Sequence, residues 1–282
     1  MPLQNGIHTL SRAEYDAIDR MNQSTLKHGL KSLAHLRFAE TNKEEEEDKA
    51  AWRFGRCVHL GVLEPARLKT DVAVWGGGVR RGKSWDEFAE RNAGKELLTL
   101  EEYTRCIAIQ EAIRHNSYAQ RCFADGAREV AVLWTDAETG LDCKALLDVS
   151  HEIIVELKSA RDASPGAFGR AAYSYAYHLQ AAFYVDAVRS VTGRELPYVM
   201  VVAESAPPHV VQVYTVPPWI LELGRKEYKR LLAAVKTARG NGLYNGYSVE
   251  PMELQLPRWA VANEDLEDES TDFNSFGLKV TK

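Results

Sequence analysis

Val155-Glu156-Leu157-Lys158 sets an acid and a lysine two residues apart, with a second acid, Asp148, on the segment before them. In a β-strand successive side chains point to opposite faces, so Glu156 and Lys158 share one face and Leu157 takes the other. An odd number of residues in the turn around 150–152 places Asp148 on the face of Glu156; an even number separates them. Two carboxylates and a lysine at one sheet end suit a Mg²⁺ site. Hard oxygen ligands hold the ion, the ion acidifies a bound water, and the lysine positions or deprotonates that water. Acid-x-Lys on its own is a short motif, and surface strands often carry Glu and Lys as a solvated face.

The elements that must position these residues follow from periodicity. After Arg128 the chain changes to short runs rich in Val, Ile and Leu. These predict strands over 129–134, 141–149, 153–158, 198–203 and 210–216, with hairpin turns at 136–140 and 150–152. Apolar residues at helical spacing predict helices over 23–40, 50–63, 85–91, 100–115, 177–191 and 219–238, with Gly193 as the C-cap of the fifth. Residues 72–83, rich in glycine and basic side chains, read as irregular. That order implies an α/β fold, a mixed central sheet flanked by helices with helical N-terminal additions. One domain is expected over 1–262, with a helical part at 1–125 and a catalytic core at 126–240, followed by a tail at 263–282.

With 282 residues, 45% hydrophobic and 27% charged, the chain is an ordinary globular sequence and neither disordered nor fibrous. A formal net charge of −5 disfavours a polyanionic partner until the acids are located. Six of them, Glu264, Asp265, Glu267, Asp268, Glu269 and Asp272, stand together without a base, and leaving that stretch out moves the charge to +1. Nucleic acid therefore stays allowed. Cys57, Cys106, Cys122 and Cys143 are scattered with no C-x-x-C pair, which disfavours a structural zinc or iron–sulfur site. The absence of a long apolar run and of a basic-then-apolar start places the protein in the cytoplasm with no membrane partner.

Five segments stand in one order: Gly55-Arg56-Cys57-Val58-His59, Arg128-Glu129-Val130-Ala131-Val132, Lys144-Ala145-Leu146-Leu147-Asp148, Glu156-Leu157-Lys158, and Gln180-Ala181-Ala182-Phe183-Tyr184. In them the chain resembles the PD-(D/E)XK nuclease superfamily, and within it the RecE-type (exonuclease VIII-like) phage recombination exonucleases. The resemblance spans about residues 20 to 205 and implies a restriction-endonuclease-like core. It departs at Leu146, where many relatives carry Arg, and at Glu156, where Asp is more usual.

By that resemblance His59, Asp148, Glu156 and the Leu157 carbonyl would ligate Mg²⁺, with Mn²⁺ able to substitute, and Lys158 would orient the nucleophilic water. Glu129 would bind a second metal or its water, and Gln180 and Tyr184, one helical turn apart, would brace the site and the DNA. The implied activity is metal-dependent exonuclease action on double-stranded DNA ends, 5′ to 3′, leaving 3′ overhangs for a single-strand annealing protein of RecT type. A ring-shaped homo-oligomer is implied as well. The competing readings are a CRISPR-associated or helicase-linked RecB-like nuclease and a catalytically silent DNA-binding module of the same fold.

Arg80, Arg81 and Lys83 form the best phosphate-contacting candidate outside the cluster, because glycines let backbone approach DNA and three cations gather without an acid. The acidic stretch at 263–272 cannot bury apolar area. It is expected to mimic DNA in a basic channel, to attach a partner through Phe273 and Phe276, or to be an inert solubilising terminus.

Overall fold

The computed structural model describes residues 3–42, 50–248 and 250–256. The chain divides into two units, Met1–Gly246 and Tyr247–Lys282. The described part of the second unit carries no helix or strand; there the Ser248 hydroxyl donates to the Glu250 carbonyl at 2.8 Å. The acidic stretch at 263–272, with Phe273 and Phe276, lies outside the described residues.

The first unit opens with strand β1 (Gly6–Thr9), helices α1 (Arg12–Ala17) and α2 (Gln23–Leu26), a 3₁₀ turn at Lys27–Leu30, and helices α3 (Leu33–Thr41), α4 (Ala50–Leu63) and α5 (Pro65–Asp71). Strand β2 (Val72–Trp75), α6 (Lys83–Arg91), β3 (Glu96–Thr99), α7 (Leu100–His115) and α8 (Ser117–Cys122) follow. The second half runs β4 (Ala127–Thr135), β5 (Asp142–Ser150), β6 (Ile154–Ala160), α9 (Pro165–Ser174), α10 (Tyr177–Thr192), β7 (Tyr198–Glu204), β8 (Val211–Thr215) and α11 (Pro218–Asn241).

One six-stranded sheet, ordered β1-β4-β5-β6-β7-β8, is antiparallel except between β6 and β7. That parallel pair requires a crossover, and α9 and α10 supply it. Helices α10 and α11 cover one face, where Phe183, Leu179, Leu231 and Val235 pack on Val132, Ala145 and Ile154. Helices α4, α7 and α8 cover the other, where Val58, Ile109 and Cys122 pack on Val155, Leu157 and Val201. The expected mixed sheet flanked by helices is therefore observed. All four cysteines are buried and free, and burial pushes the thiols of Cys57, Cys106 and Cys143 up to about 12. Among the described residues no helix is long and apolar enough to cross a membrane.

Two local expectations change. The helix read over 23–40 is broken, because Ser32 sits in extended conformation and its hydroxyl caps the new helix α3 by accepting from the His35 amide at 3.2 Å. The segment read as irregular over 72–83 begins with β2, paired in parallel with β3. Its partner residues lie 24 positions downstream, beyond any local signal. Gly193 does cap α10, at φ 73 in the left-handed region.

Helices α10 and α11 are tied by a buried carboxylate. Asp186 accepts a bidentate pair from Arg225, both bonds 2.7 Å, and a bond from the Tyr228 hydroxyl at 2.5 Å. Arg225 is thus an interhelical clamp. Burial pushes the Asp186 carboxyl upward, but the hydrogen bonds from Arg225 and Tyr228 outweigh it and hold the group below its ordinary value. Gly224 lies where α11 meets the α10 backbone so closely that a Cβ would stand 2.0 Å from the His178 carbonyl oxygen.

A carboxyl whose native pKa is depressed adds stability above its unfolded pKa and loses it as the pH falls through the native value. Asp186→Ala is expected to cost about 2–3 kcal/mol in urea unfolding at neutral pH, because it removes the bidentate acceptor of Arg225, leaving it Glu222, and strips the buried Tyr228 hydroxyl of its acceptor. The same variant is expected to lose the share of the acid-side fall in stability below about pH 4 that the depressed Asp186 carboxyl contributes.

Candidate active site

The hairpin between β5 and β6 settles the parity question. Val149 pairs with Val155 and Ser150 with Ile154, leaving a three-residue turn at 151–153. An odd turn puts Asp148 on the face of Glu156, and continuing the register sets the two opposite each other. On the other side, Arg128 pairs with Val149 and Val130 with Leu147, so the same extrapolation sets Glu129 opposite Asp148. Three carboxylates thus form a row across β4, β5 and β6.

The row sits where the sheet changes faces. Leu147 packs with the α10–α11 layer, whereas Val149, two residues on, packs with the α4–α7 layer. On β4, Val130 joins the first layer, while the Arg128 guanidinium donates to the Val62 and Leu63 carbonyls at the end of α4. Regular alternation would keep each of these pairs on one face. Between them Glu129 adopts φ 50, a left-handed conformation that costs a non-glycine residue about 1–3 kcal/mol.

Around this break the side chains are held tightly. Glu156, 4% exposed, accepts at Oε1 from Lys158 Nζ at 2.7 Å and from Gln180 Nε2 at 2.6 Å. Lys158 also donates to Gln180 Oε1 at 3.0 Å, closing a ring of three hydrogen bonds. Glu156 Oε2 is buried with no hydrogen-bond partner. Asp148 accepts at Oδ2 from the Leu157 amide at 2.6 Å, and its Oδ1 lies 3.5 Å from His59 Nδ1 on α4. The Leu157 side chain is in the core beneath α4. Tyr184, one turn beyond Gln180 on α10, is buried and lines the same cleft as Asp148 and Glu156.

Electrostatics divide the three acids. Burial raises the Glu129 carboxyl to about 7, with Asp148 adding to the shift. Burial also raises Glu156, again helped by the Asp148 charge, although Lys158 opposes it. For Asp148 burial is outweighed by His59, Lys158 and the Leu157 amide, so that carboxyl is held down. Asp148 therefore keeps the negative charge while its neighbours are pushed toward protonation. His59 and Lys158 are both raised, because their acidic neighbours outweigh burial.

These donors fit a divalent cation in their chemistry. A buried, unpartnered carboxylate oxygen and adjacent acids that discourage one another's ionisation are what a hard cation would satisfy and reverse. The arrangement is not preassembled: among the described residues no group of three His, Cys, Asp or Glu side chains is placed so that it could hold a metal ion.

The cleft in front of the row has a volume of about 820 Å³. Besides the acids and His59 it is lined by Arg12 and Asp16 of α1, Arg56 of α4, Arg67 of α5, and Lys95. Lys144 shapes this wall from β5: it is buried, donating to the Tyr15 and Ile18 carbonyls at 2.7 Å each at the end of α1. Arg80, Arg81 and Lys83 do not line the cleft. Arg80 is half-buried, donating to the Leu97 carbonyl at 2.9 Å and paired with Glu102, so its part is to fasten the 72–83 segment to α7. Arg81 and Lys83 are exposed, and Lys83 lies 3.9 Å from Glu87. Sequence reasoning missed Arg12, Arg67 and Lys95, which carry no motif and meet only through packing. It also missed Tyr198 on β7, whose buried phenol is raised far above its ordinary value by burial and by the neighbouring Glu156 carboxylate.

The face-changing mixed sheet with an acidic row and an adjacent lysine defines a PD-(D/E)XK nuclease-like protein. The chain belongs to the family described as "PDDEXK-like domain of unknown function (DUF3799)", whose pattern matches residues 22–248. Among solved structures it is similar to the crystal structure of a protein described as "Putative exonuclease" from Eubacterium rectale. The TM-score is 0.60 at 17% identity, covering 97% of this chain and 100% of that one. At that identity the likeness shows the fold. None of the curated proteins compared with the chain matches it.

The strained, desolvated Glu129 makes a stability prediction that is independent of any activity. Glu129→Gly relieves both the left-handed backbone and the buried carboxyl, and is expected to stabilise the protein by about 1 kcal/mol in urea unfolding in EDTA. An unchanged or lower midpoint would show that the Glu129 contacts outweigh the strain.

Proposed function

We propose that the protein is a metal-dependent exodeoxyribonuclease acting on double-stranded DNA ends. The observation that carries this reading is the division of labour on Glu156: one carboxylate oxygen holds Lys158 and Gln180, while the other is buried and unpartnered.

In this reading Asp148 and Glu156, with His59 and the Leu157 carbonyl, hold Mg²⁺, for which Mn²⁺ substitutes, and Glu129 serves a second ion or its water. The bound cation supplies charge stabilisation at the scissile phosphate and lowers the pKa of a water. The chain's own residues do the rest. Lys158, fixed between Glu156 and Gln180, orients the water in line with the phosphorus through its ammonium hydrogens. Gln180 keeps Glu156 in one rotamer, so the free oxygen keeps facing the cation. The water gives up a proton to solvent as its oxygen bonds to phosphorus, the bond to the leaving sugar oxygen breaks, and that oxygen takes a proton from solvent. Arg12, Arg56, Arg67 and Lys95 line the cleft as cations for the backbone, within a local field also set by Asp16, Glu64, Asp71 and Glu96.

The finer assignment rests on the ordered resemblance to the RecE-type enzymes. It comprises 5′-to-3′ polarity, 3′ overhangs for phage-type recombination, a RecT-type annealing partner, a cytoplasmic location and a homo-oligomer encircling DNA. Arg81 and Lys83 are proposed as outlying phosphate contacts. A catalytically silent DNA-binding module of the same fold is favoured by one observation, the lack of a preassembled group of three ligands among the described residues.

Incubation of 5′- and 3′-labelled linear duplex, single strand and closed circle with Mg²⁺, Mn²⁺ or EDTA separates these readings. The exonuclease degrades linear duplex from the 5′ end with metal and spares circles. A helicase-linked or CRISPR-type nuclease shows other substrates or polarity, and a silent module binds without cleaving. Asp148→Ala and Glu156→Ala are each expected to abolish cleavage while duplex binding in EDTA persists or strengthens, since a charge that repels phosphate is removed. Lys158→Ala is expected to slow the chemical step by ~100-fold or more, the scale of losing the group that positions a nucleophile, with metal binding by calorimetry retained.

A further inference from the structure

Beyond Lys158 the site continues into aromatic rings that neither the acidic row nor the cleft uses. The Tyr177 ring centroid lies 4.6 Å from Lys158 Nζ. Tyr175 stacks on Tyr177 with centroids 5.7 Å apart and planes at 29°. Tyr177 is half-buried and backed by Phe168 at 6.1 Å, which stacks on Tyr214 at 5.1 Å. Tyr175 is 60% exposed, so the row of rings ends at solvent.

The junction that presents these rings is fixed by backbone hydrogen bonds. Ala176, buried between α9 and α10, adopts φ 58 in the left-handed region. The Tyr175 amide donates to the Ala171 carbonyl at 2.9 Å, and the Ala176 amide donates to the Tyr173 carbonyl at 3.0 Å. Flanking charges are Arg161 after β6 and Arg170 on α9, both exposed, with Asp162 between them. An exposed tyrosine, stacked on a second one that touches the proposed water-orienting lysine, contributes little to the core. Flat π-faces beside cations are what an unstacked nucleobase seeks, with affinity that depends little on which base it is.

We propose that Tyr175 and Tyr177 form a stacking platform for the unpaired terminal nucleobase of a DNA end whose scissile phosphate lies at Lys158. The inference rests on the nuclease reading and deepens it, because it names the part of the substrate that must leave the duplex stack. Tyr175 is the outer, base-bearing ring, and Tyr177 positions it against Lys158.

The test uses a duplex carrying one unpaired terminal 2-aminopurine, bound to the full chain in EDTA so that no cleavage is needed. Wild type is expected to quench the probe. Tyr175→Ala is expected to lose the quenching and to bind the unpaired-end duplex ~10-fold more weakly, while a closed circular duplex binds as before. Tyr175→Phe, which keeps the ring, is expected to behave as wild type; thermal melting of both variants confirms folding. Equal quenching by wild type and Tyr175→Ala overturns the platform even where linear duplex is still cleaved, and leaves the nuclease reading standing. Unchanged quenching together with a shift in sedimentation assigns the rings to contact between copies and likewise overturns the proposal. Wild type that neither binds nor cleaves DNA overturns both readings.

Discussion

Burying the Glu156 carboxylate is the constraint on which the candidate site depends. A charge almost removed from water must be matched or it neutralises. Here one oxygen receives both an ammonium and an amide hydrogen, and those two donors bond to each other. The ring couples β6 to α10, so the strand that carries Glu156 and Lys158 and the helix above it cannot shift independently. What remains is an oxygen with its solvation lost and nothing in exchange, next to a second carboxylate that opposes its charge. The tension is local and has a direction, toward a cation in the cleft.

The sheet creates that location by failing to alternate. Were β4 and β5 regular, Glu129 and Asp148 would point alternately with their neighbours into one helical layer. The left-handed Glu129 instead lets residues 128 and 149 join the α4 side while 130 and 147 stay with α10. The acids sit at the crossing point, between His59 of α4 and Gln180 of α10, and the cleft opens there. Strain, desolvation and like charge therefore gather at one place, as expected where a fold gives up stability to hold a functional arrangement.

Support for this arrangement comes from outside the site. Asp186, clamped by Arg225 and Tyr228, holds α11 against α10, and Gly224 lets the two backbones close. Helix α10 is buried along most of its length, from His178 to Val188, which makes it the beam that carries Gln180 and Tyr184 to the sheet. At its start the left-handed Ala176 turns the chain so that Tyr177 faces Lys158 while Tyr175 stays in solvent.

Much of this was legible before the fold was known, because strands and helices announce themselves by period. The β4–β5–β6 meander, the crossover helix with its Gly193 cap, and the shared face of Glu156 and Lys158 all follow from local pattern and turn chemistry. Helix continuity across Ser32 and the pairing of β2 with β3 were not legible, the first because a capping serine is also a tolerable helical residue, the second because strand pairing joins residues distant in sequence. Arg80 shows the limit for charge: three cations among glycines look alike until tertiary contacts give one of them to Glu102 and Leu97. By itself, then, the sequence determined a mixed sheet flanked by helices, the β4–β5–β6 meander, and which residue types could do chemistry, but not the edge strand β1. Tertiary structure alone decided the parity of the β5–β6 turn, the change of face at Glu129, the sharing of Glu156 between Lys158 and Gln180, and which arginines meet in the cleft. The turn parity is set by local backbone geometry that periodicity does not encode, and the others depend on contacts between segments far apart along the chain.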